Sequence, residues 1–149
     1  MWKTIVRKIS GVVLGGLVIG GLIQLVPYGR TDDDPPVTAE PSWQGSGTRR
    51  LAVRACFDCH SNETQWPWYS NLAPASWLLQ RDVKSGREEL NFSEWDRRQD
   101  KAEDAAETIV EDEMPPLRYT LAHPDARLSE REKRALIVGL SRTIGSREH

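Results

Sequence analysis

The hydrophobic positions of the chain begin with one long apolar run near the N-terminus. Residues 9–26 are eighteen residues without a charged side chain, and Lys3, Arg7 and Lys8 precede them. This length is sufficient for a transmembrane helix, and basic residues before the run favour a cytoplasmic N-terminus. Because no small-x-small cleavage site follows, residues 1–29 are predicted to be an uncleaved membrane anchor. A cleaved signal peptide is the alternative.

After the apolar run, the polarity of the chain indicates a linker, one domain and a tail. Residues 30–47 are rich in Asp, Pro, Ser and Gly, which is typical of a linker rather than of a packed element. Residues 48–142 carry the hydrophobic positions of one small domain, and residues 143–149 form a tail. The predicted organisation is therefore a membrane anchor, a linker and one domain on the outer side of the membrane.

In the domain, the apolar positions recur at helical spacing, and no segment alternates with period two over a useful length. Thr48 and Ser93 are candidate N-caps. The pattern predicts helices at residues 48–57, 76–90 and 93–111, and a last helix after the capping box Ser129–Glu132. Residues 61–74 and 113–128 contain several prolines and are predicted to be loops. The predicted fold class is all-α, with about four helices and long loops, preceded by one transmembrane helix.

Composition and charge exclude several classes of protein. The chain has 20 Lys and Arg against 22 Asp and Glu, a net charge of -2, and its first thirty residues contain no acid. A protein that binds nucleic acid would present a basic face, so this balance argues against one. With 28% charged and 38% hydrophobic residues, the chain is not mostly disordered. Its two cysteines exclude a disulfide-rich scaffold.

The strongest chemical signal is the sequence Cys-x-x-Cys-His formed by Cys56, Cys59 and His60, which is typical of c-type haem attachment. Two thiols three residues apart on a helical turn lie on one side of the chain, where they reach both vinyl groups of one porphyrin. The adjacent histidine is then held under the iron as an axial ligand. Three weaker alternatives stay open: a thioredoxin-type redox pair, a zinc site that includes His123, and a bare disulfide.

A haem with one histidine needs a second axial ligand or has an open site. Met114 is the one methionine besides the initiator, and Pro115 and Pro116, which follow it, stiffen the chain. A methionine that only fills a gap in a core would more often lie on a helix face. Met114 is therefore predicted to be the distal ligand, and His123 is the alternative distal ligand.

An aromatic cluster follows the attachment sequence. Trp66, Trp68 and Tyr69 lie within nine residues of His60, and Trp77 comes soon after them. These rings are predicted to bind the cofactor by covering a face or an edge of the porphyrin, where they would exclude water and change the redox potential. A small hydrophobic core is the alternative explanation.

Further blocks of sequence accompany the attachment sequence. They are Trp-Pro-Trp-Tyr-Ser at 66–70, Leu-Asn-Phe-Ser at 90–93 and Met-Pro-Pro at 114–116. Over about residues 35–140, the chain resembles the bacterial haem-binding domain family of small membrane-anchored c-type cytochromes. This resemblance implies a cytochrome c-like fold and one haem c, attached covalently through Cys56 and Cys59, with His60 as an axial ligand. The Met-Pro-Pro loop is also similar to the distal half of class I cytochromes c, which points to Met114.

The predicted function is electron transfer by a membrane-tethered, periplasmic mono-haem cytochrome c that is not an enzyme. Its expected partners are the membrane and a redox protein, and not nucleic acid. Its expected location is the bacterial inner membrane, single-pass, with the haem domain in the periplasm. One alternative is a haem-based sensor or peroxidase-like enzyme with a displaceable sixth ligand. Another is a haem-containing accessory subunit of a membrane redox complex.

Overall fold

The computed structural model describes residues 2–30, 33–99 and 101–145, without the side chains of residues 3, 4 and 6. This part of the chain contains seven α-helices and no β-strand, so the all-α prediction is confirmed. The helices are α1 (Trp2–Ile23), α2 (Ser46–Ala55), α3 (Phe57–His60), α4 (Ala75–Glu89), α5 (Ala105–Val110), α6 (Leu117–Ala122) and α7 (Glu130–Gly145). Short 3-10 helices occur at Trp68–Asn71 and Pro124–Ala126.

The chain divides into two compact units. The first consists of residues 1–32 and 67–81, and the second consists of residues 33–66 and 82–149. The predicted tail begins within α7, and from residue 146 onward it lies outside the described residues.

Helix α1 forms where the apolar run predicts a helix, but the predicted membrane anchor at residues 1–29 is not supported. Among the described residues, no helix has both the length and the apolar character that crossing a membrane requires. Helix α1 ends at Ile23, three residues before the apolar run does.

In the first unit, two residues fix the chain that follows α1. The side chain of Gln24 donates from Nε2 to the carbonyl oxygen of Ala73 at 2.8 Å. Its Oε1 accepts from the backbone amide nitrogen of Ala73 at 3.1 Å. Gly29 has a φ of 76°, and a Cβ at this position would lie 2.6 Å from the carbonyl oxygen of Ser76. A glycine is therefore required for this close approach to the start of α4.

The hydrophobic core of the second unit forms where α2 and α5 pack against α7. Gly139 of α7 permits a close approach to α2, because a Cβ there would lie only 2.9 Å from the Cβ of Thr48. Within the core, the rings of Phe57 and Phe92 stack with centroids 5.7 Å apart. The core consists of Leu51, Ala52, Phe57, Leu90, Phe92, Ala102, Ile109, Leu136, Leu140 and Ile144.

From residue 33 onward, the segment predicted to be a linker at residues 30–47 makes specific contacts within the second unit. Ala39 forms a parallel bridge with Glu94. The ring of Trp43 packs against that of Phe92, with centroids 5.1 Å apart. The Pro- and Asp-rich composition of this segment does not indicate these contacts, because their partners lie about fifty residues further along the chain.

The helix predicted at residues 93–111 is wrong over most of its length, because only α5, near its end, is helical. The residues before α5 form turns held by side chains. The Ser93 hydroxyl accepts from the amide nitrogen of Asn62 at 2.9 Å instead of capping a helix. The Gln99 Oε1 accepts from the amide nitrogen of Asn91 at 2.9 Å. Such bonds between side chains and backbone compete with helix formation.

Two smaller predictions are also corrected by the structure. Residues 113–128, predicted to be a loop, contain α6 and a 3-10 helix, and α6 starts directly after Pro116. Proline at a helix start is compatible with the helix because its missing N–H would have no intrahelical partner. Thr48 is not an N-cap, since α2 begins at Ser46 and the Thr48 hydroxyl donates to the carbonyl oxygen of Gln44 at 3.0 Å.

The helices predicted at residues 48–57 and 76–90 are confirmed as α2 and α4, and the capping box predicted before α7 is confirmed as well. The amide nitrogen and the hydroxyl of Ser129 both donate to Oε2 of Glu132 at 2.8 Å. Arg54 of α2 also pairs with this carboxylate, at 2.7 Å. The bond from the Ser129 backbone is the largest cause that lowers the pKa of Glu132 to about 2.

We expect Glu132 to make the stability of the protein depend on pH in the acid range. Because folding lowers its pKa from 4.5 to about 2, its contribution is fully present above pH 4.5 and is lost as the pH falls toward 2. Glu132→Gln should reduce this part of the pH dependence of the thermal unfolding midpoint. Glu130→Gln removes the same charge outside the capping box, so an equal effect of the two variants would contradict the prediction.

Candidate functional site

The three residues of the attachment sequence lie in one turn at the junction of α2 and α3. Cys56 separates the two helices, and Cys59 and His60 belong to α3. The amide nitrogens of Cys59 and His60 donate to the carbonyl oxygen of Cys56 at 3.1 and 2.9 Å. Both cysteines are half-buried free thiols, so the bare disulfide is not formed.

The His60 side chain is oriented by two backbone carbonyl groups. Its Nδ1 lies 3.0 Å from the carbonyl oxygen of Gly86 and 3.0 Å from that of Leu90. Because both partners can only accept, Nδ1 carries the proton and donates it, which leaves the lone pair on Nε2. Burial lowers the pKa of His60, although these two hydrogen bonds oppose the shift. The imidazole is therefore neutral at ordinary pH, with Nε2 available as a ligand.

Gly86 brings α4 against the attachment turn. A Cβ at this position would lie 3.0 Å from the carbonyl carbon of Cys59, 3.1 Å from its Cβ, and closer still to its carbonyl oxygen. Gly86 was not among the candidate site residues predicted from the sequence. The available signal was a glycine inside a helical pattern, where glycine destabilises a helix by about 1 kcal/mol relative to alanine.

The environment of the two thiols does not favour the redox or zinc alternatives. Burial raises the pKa of Cys56 and of Cys59 to about 12, and the carboxylates of Asp58 and Asp82 contribute to the shift at Cys59. A redox-active cysteine reacts as a thiolate, and its surroundings lower the pKa of the thiol instead of raising it. Among the described residues, no three or more His, Cys, Asp or Glu side chains are arranged to hold a metal ion.

Met114 lies in the turn between α5 and α6 and packs against the core that Cys56 also contacts. Its amide nitrogen donates to the carbonyl oxygen of Thr108 at 3.1 Å, which anchors it to α5. The structure therefore places Met114 and Cys56 beside the same core. Ligation of the iron by Met114 stays a prediction.

Asp58, between the two cysteines, is hydrogen-bonded to the segment that follows Met114. The Tyr119 hydroxyl donates to Oδ2 of Asp58 at 2.6 Å. Burial, followed by this hydrogen bond, raises the pKa of Tyr119. The ring of His123 stacks on that of Tyr119, with centroids 4.4 Å apart. No motif in the sequence identifies Asp58 or Tyr119, because Asp58 occupies an unspecified position of the attachment pattern and Tyr119 lies outside it.

Trp66 and Arg87 are joined through Asp34 in the second unit. The indole Nε1 of Trp66 donates to Oδ2 of Asp34 at 2.9 Å, and Arg87 donates to Oδ1 of the same carboxylate at 2.7 Å. Arg87 also donates from Nε to the carbonyl oxygen of Ser61, directly after His60, at 2.8 Å. The carboxylate and the guanidinium together fix the loop that leaves the attachment turn.

The other aromatic candidates, Trp68, Tyr69 and Trp77, belong to the first unit. Trp68 is 84% exposed, and its ring meets that of Tyr69 edge-on with centroids 5.7 Å apart. Contact of these three rings with a porphyrin stays a prediction.

The residues of this site lie within the range matched by a known protein family. A family model described as a haem-binding domain matches residues 18–142, which is most of the chain. The chain belongs to the haem-binding domain family. No curated protein and no solved structure matches it. The matched range of this haem-binding domain includes the attachment turn, Met114 and His123. Haem binding, predicted from the attachment sequence, is thereby confirmed.

The residues of the haem-binding domain fit a covalently attached haem. Cys56 and Cys59 offer two unbridged thiols, and His60 offers a neutral imidazole whose Nε2 is free of the hydrogen bonds made by Nδ1. Thioether formation requires free thiols, and iron ligation requires a neutral imidazole with a free nitrogen.

Proposed function

We propose that this haem-binding domain is a mono-haem c-type cytochrome that transfers electrons and is not an enzyme. The observation that carries the proposal is the orientation of His60. Its Nδ1–H donates to two backbone carbonyl groups at 3.0 Å, in the turn that also holds two free thiols. Hydrogen bonds of this kind fix the ring and increase its basicity as a ligand.

Each residue of the site has a defined role in this proposal. Cys56 and Cys59 would each hold the haem through one thioether bond, and His60 would bind the iron through Nε2. Met114 would supply its thioether sulfur as the second iron ligand. When bound, the haem supplies a reversible one-electron couple between ferric and ferrous iron. The buried core beside the attachment turn excludes water, which helps to set the potential.

We place the haem-binding domain in the bacterial periplasm and infer that its partner is a redox protein. Support for the location is chemical, because bacteria attach haem c outside the cytoplasmic membrane. Support for a basic partner comes from the exposed acidic side chains of Glu111, Asp112 and Glu113, directly before Met114. An acidic surface beside the distal ligand would steer a basic redox protein toward the haem.

The proposal is tested by producing the full chain in a bacterial host that attaches c-type haem. Absorption spectra are then recorded for the oxidised protein, the reduced protein, and the reduced protein with carbon monoxide. A six-coordinate haem that binds carbon monoxide only slowly would support the electron carrier. Ready binding of carbon monoxide would favour the sensor or peroxidase-like alternative. A colourless protein would overturn the proposal.

We expect Met114→Ala to lower the midpoint potential and to let the reduced haem bind carbon monoxide. Methionine ligation raises the potential, and its loss leaves an open position on the iron. A redox titration and a carbon monoxide difference spectrum measure the two effects. His123→Ala is the control and should leave both unchanged. The opposite pattern, with an effect of His123→Ala alone, would make His123 the distal ligand.

A further inference from the structure

We propose that the hydrogen bond between Tyr119 and Asp58 holds the distal-ligand segment, residues 114–123, against the haem-attachment turn. Tyr119 is then a positioning residue for the sixth ligand, although it does not bind the iron. This inference rests on the proposed function, because it assumes that a haem is attached at Cys56 and Cys59.

The carboxylate of Asp58 is held rigidly in the attachment turn. Its Oδ2 accepts from the Tyr119 hydroxyl at 2.6 Å, and its Oδ1 accepts from the amide nitrogen of Gln65 at 2.9 Å. The carbonyl oxygen of Asp58 also accepts from the Thr64 hydroxyl at 2.8 Å. The acceptor for Tyr119 therefore moves only with the turn that carries the two thiols and His60.

The chain between Met114 and Tyr119 has little conformational freedom. Pro115 and Pro116 each have a restricted φ, and α6 begins at Leu117, so Tyr119 lies in its first turn. On its other side, the Met114 amide nitrogen is bonded to the carbonyl oxygen of Thr108 at 3.1 Å. A restraint on Tyr119 is therefore transmitted to Met114 through a stiff segment of five residues.

A second contact joins the same segment to α4, but it is weaker. Arg118 pairs with Asp82 at 2.9 Å, and the Arg118 side chain is 68% exposed. Exposed ion pairs contribute little, whereas a phenol that donates to a partly buried carboxylate forms a stronger, charge-assisted bond. The ring of His123 stacks on Tyr119, so the same hydrogen bond also restrains the alternative distal ligand.

The test is the rate at which the reduced, haem-loaded full chain binds carbon monoxide. Tyr119→Phe removes the donor and keeps the ring, so the sixth ligand should leave the iron more often. We expect the rate to rise about tenfold. Loss of a net hydrogen-bond free energy of about 1.4 kcal/mol, which is typical of a bond to a charged group, corresponds to a factor of ten. Asp58→Asn leaves a weaker, neutral acceptor and should give a smaller rise. Tyr28→Phe, which removes a hydroxyl from an exposed tyrosine of the first unit, is the control.

The outcomes separate this inference from the proposed function. An attached haem whose carbon monoxide binding is unchanged in Tyr119→Phe overturns the positioning role and leaves the proposed function intact. An equal rise in Tyr28→Phe overturns it too. A wild-type chain that carries no haem overturns both. If Tyr119→Phe does not accumulate with haem, Asp58→Asn carries the test, and an unchanged rate in that variant overturns the inference.

Discussion

Replacing Cys56 and Cys59 together by alanine is expected to abolish covalent haem attachment. Each thiol forms one thioether in the proposed site, and the chain contains two cysteines, so the double variant has no thiol that could substitute. A thioether survives denaturation, whereas a haem held by His60 alone dissociates when the fold is lost. The measurement is haem staining of the denatured protein after electrophoresis, with strong staining of the wild type and none of the double variant.

The two single variants are matched controls for this experiment. Cys56→Ala and Cys59→Ala each retain one thiol in the same turn, and each should keep a haem through one thioether. The unreacted vinyl group extends the conjugation of the ring, so the reduced absorption bands should shift to longer wavelength. Haem staining of the denatured double variant, or its absence from the wild type, would contradict c-type attachment.

Gly86→Ala is expected to destabilise the folded protein and to disturb the attachment turn. The added Cβ would lie 3.0 Å from the carbonyl carbon of Cys59 and closer to its oxygen, so α4 or the turn must move. Overpacking of this kind destabilises by about 1 to 3 kcal/mol, and we expect the upper part of that range because the clash is with backbone. The thermal unfolding midpoint should fall by about 10 °C.

The effect of Gly86→Ala should extend to the haem ligand, because the carbonyl oxygen of Gly86 accepts from His60 Nδ1. A change in the midpoint potential of the loaded protein would report this second effect. Gly47→Ala is the matched control, since a Cβ there meets nothing within 4 Å and alanine favours the helix. An unchanged unfolding midpoint in Gly86→Ala would contradict the close approach of α4 to the attachment turn.

Local patterns in the sequence predicted several parts of the structure well. The capping box at Ser129 and Glu132 needs partners only three residues apart, and it forms as predicted. The apolar periodicity over residues 76–90 corresponds closely to α4. The attachment sequence spans only five residues, so its cysteines and histidine lie close together in any fold of the rest of the chain.

Several other features of the structure could not be predicted from local patterns. The helix expected at residues 93–111 is replaced by turns because Ser93 bonds to the backbone of Asn62, thirty-one residues away in the chain. The segment at residues 30–47 resembles a linker in composition, yet Trp43 packs on Phe92. At the N-terminus, the predicted membrane anchor is not supported, because no helix among the described residues has both the length and the apolar character of a membrane span.

The sequence by itself therefore determined the helical class and the chemistry of the attachment turn, because spacing over a few residues is sufficient for both. Only the tertiary structure decided how that turn is held. The acceptors of His60 lie twenty-six and thirty residues away, and the partner of Asp58, Tyr119, lies sixty-one residues away. These contacts depend on how distant segments pack, and packing at such separations leaves no periodic pattern in the sequence.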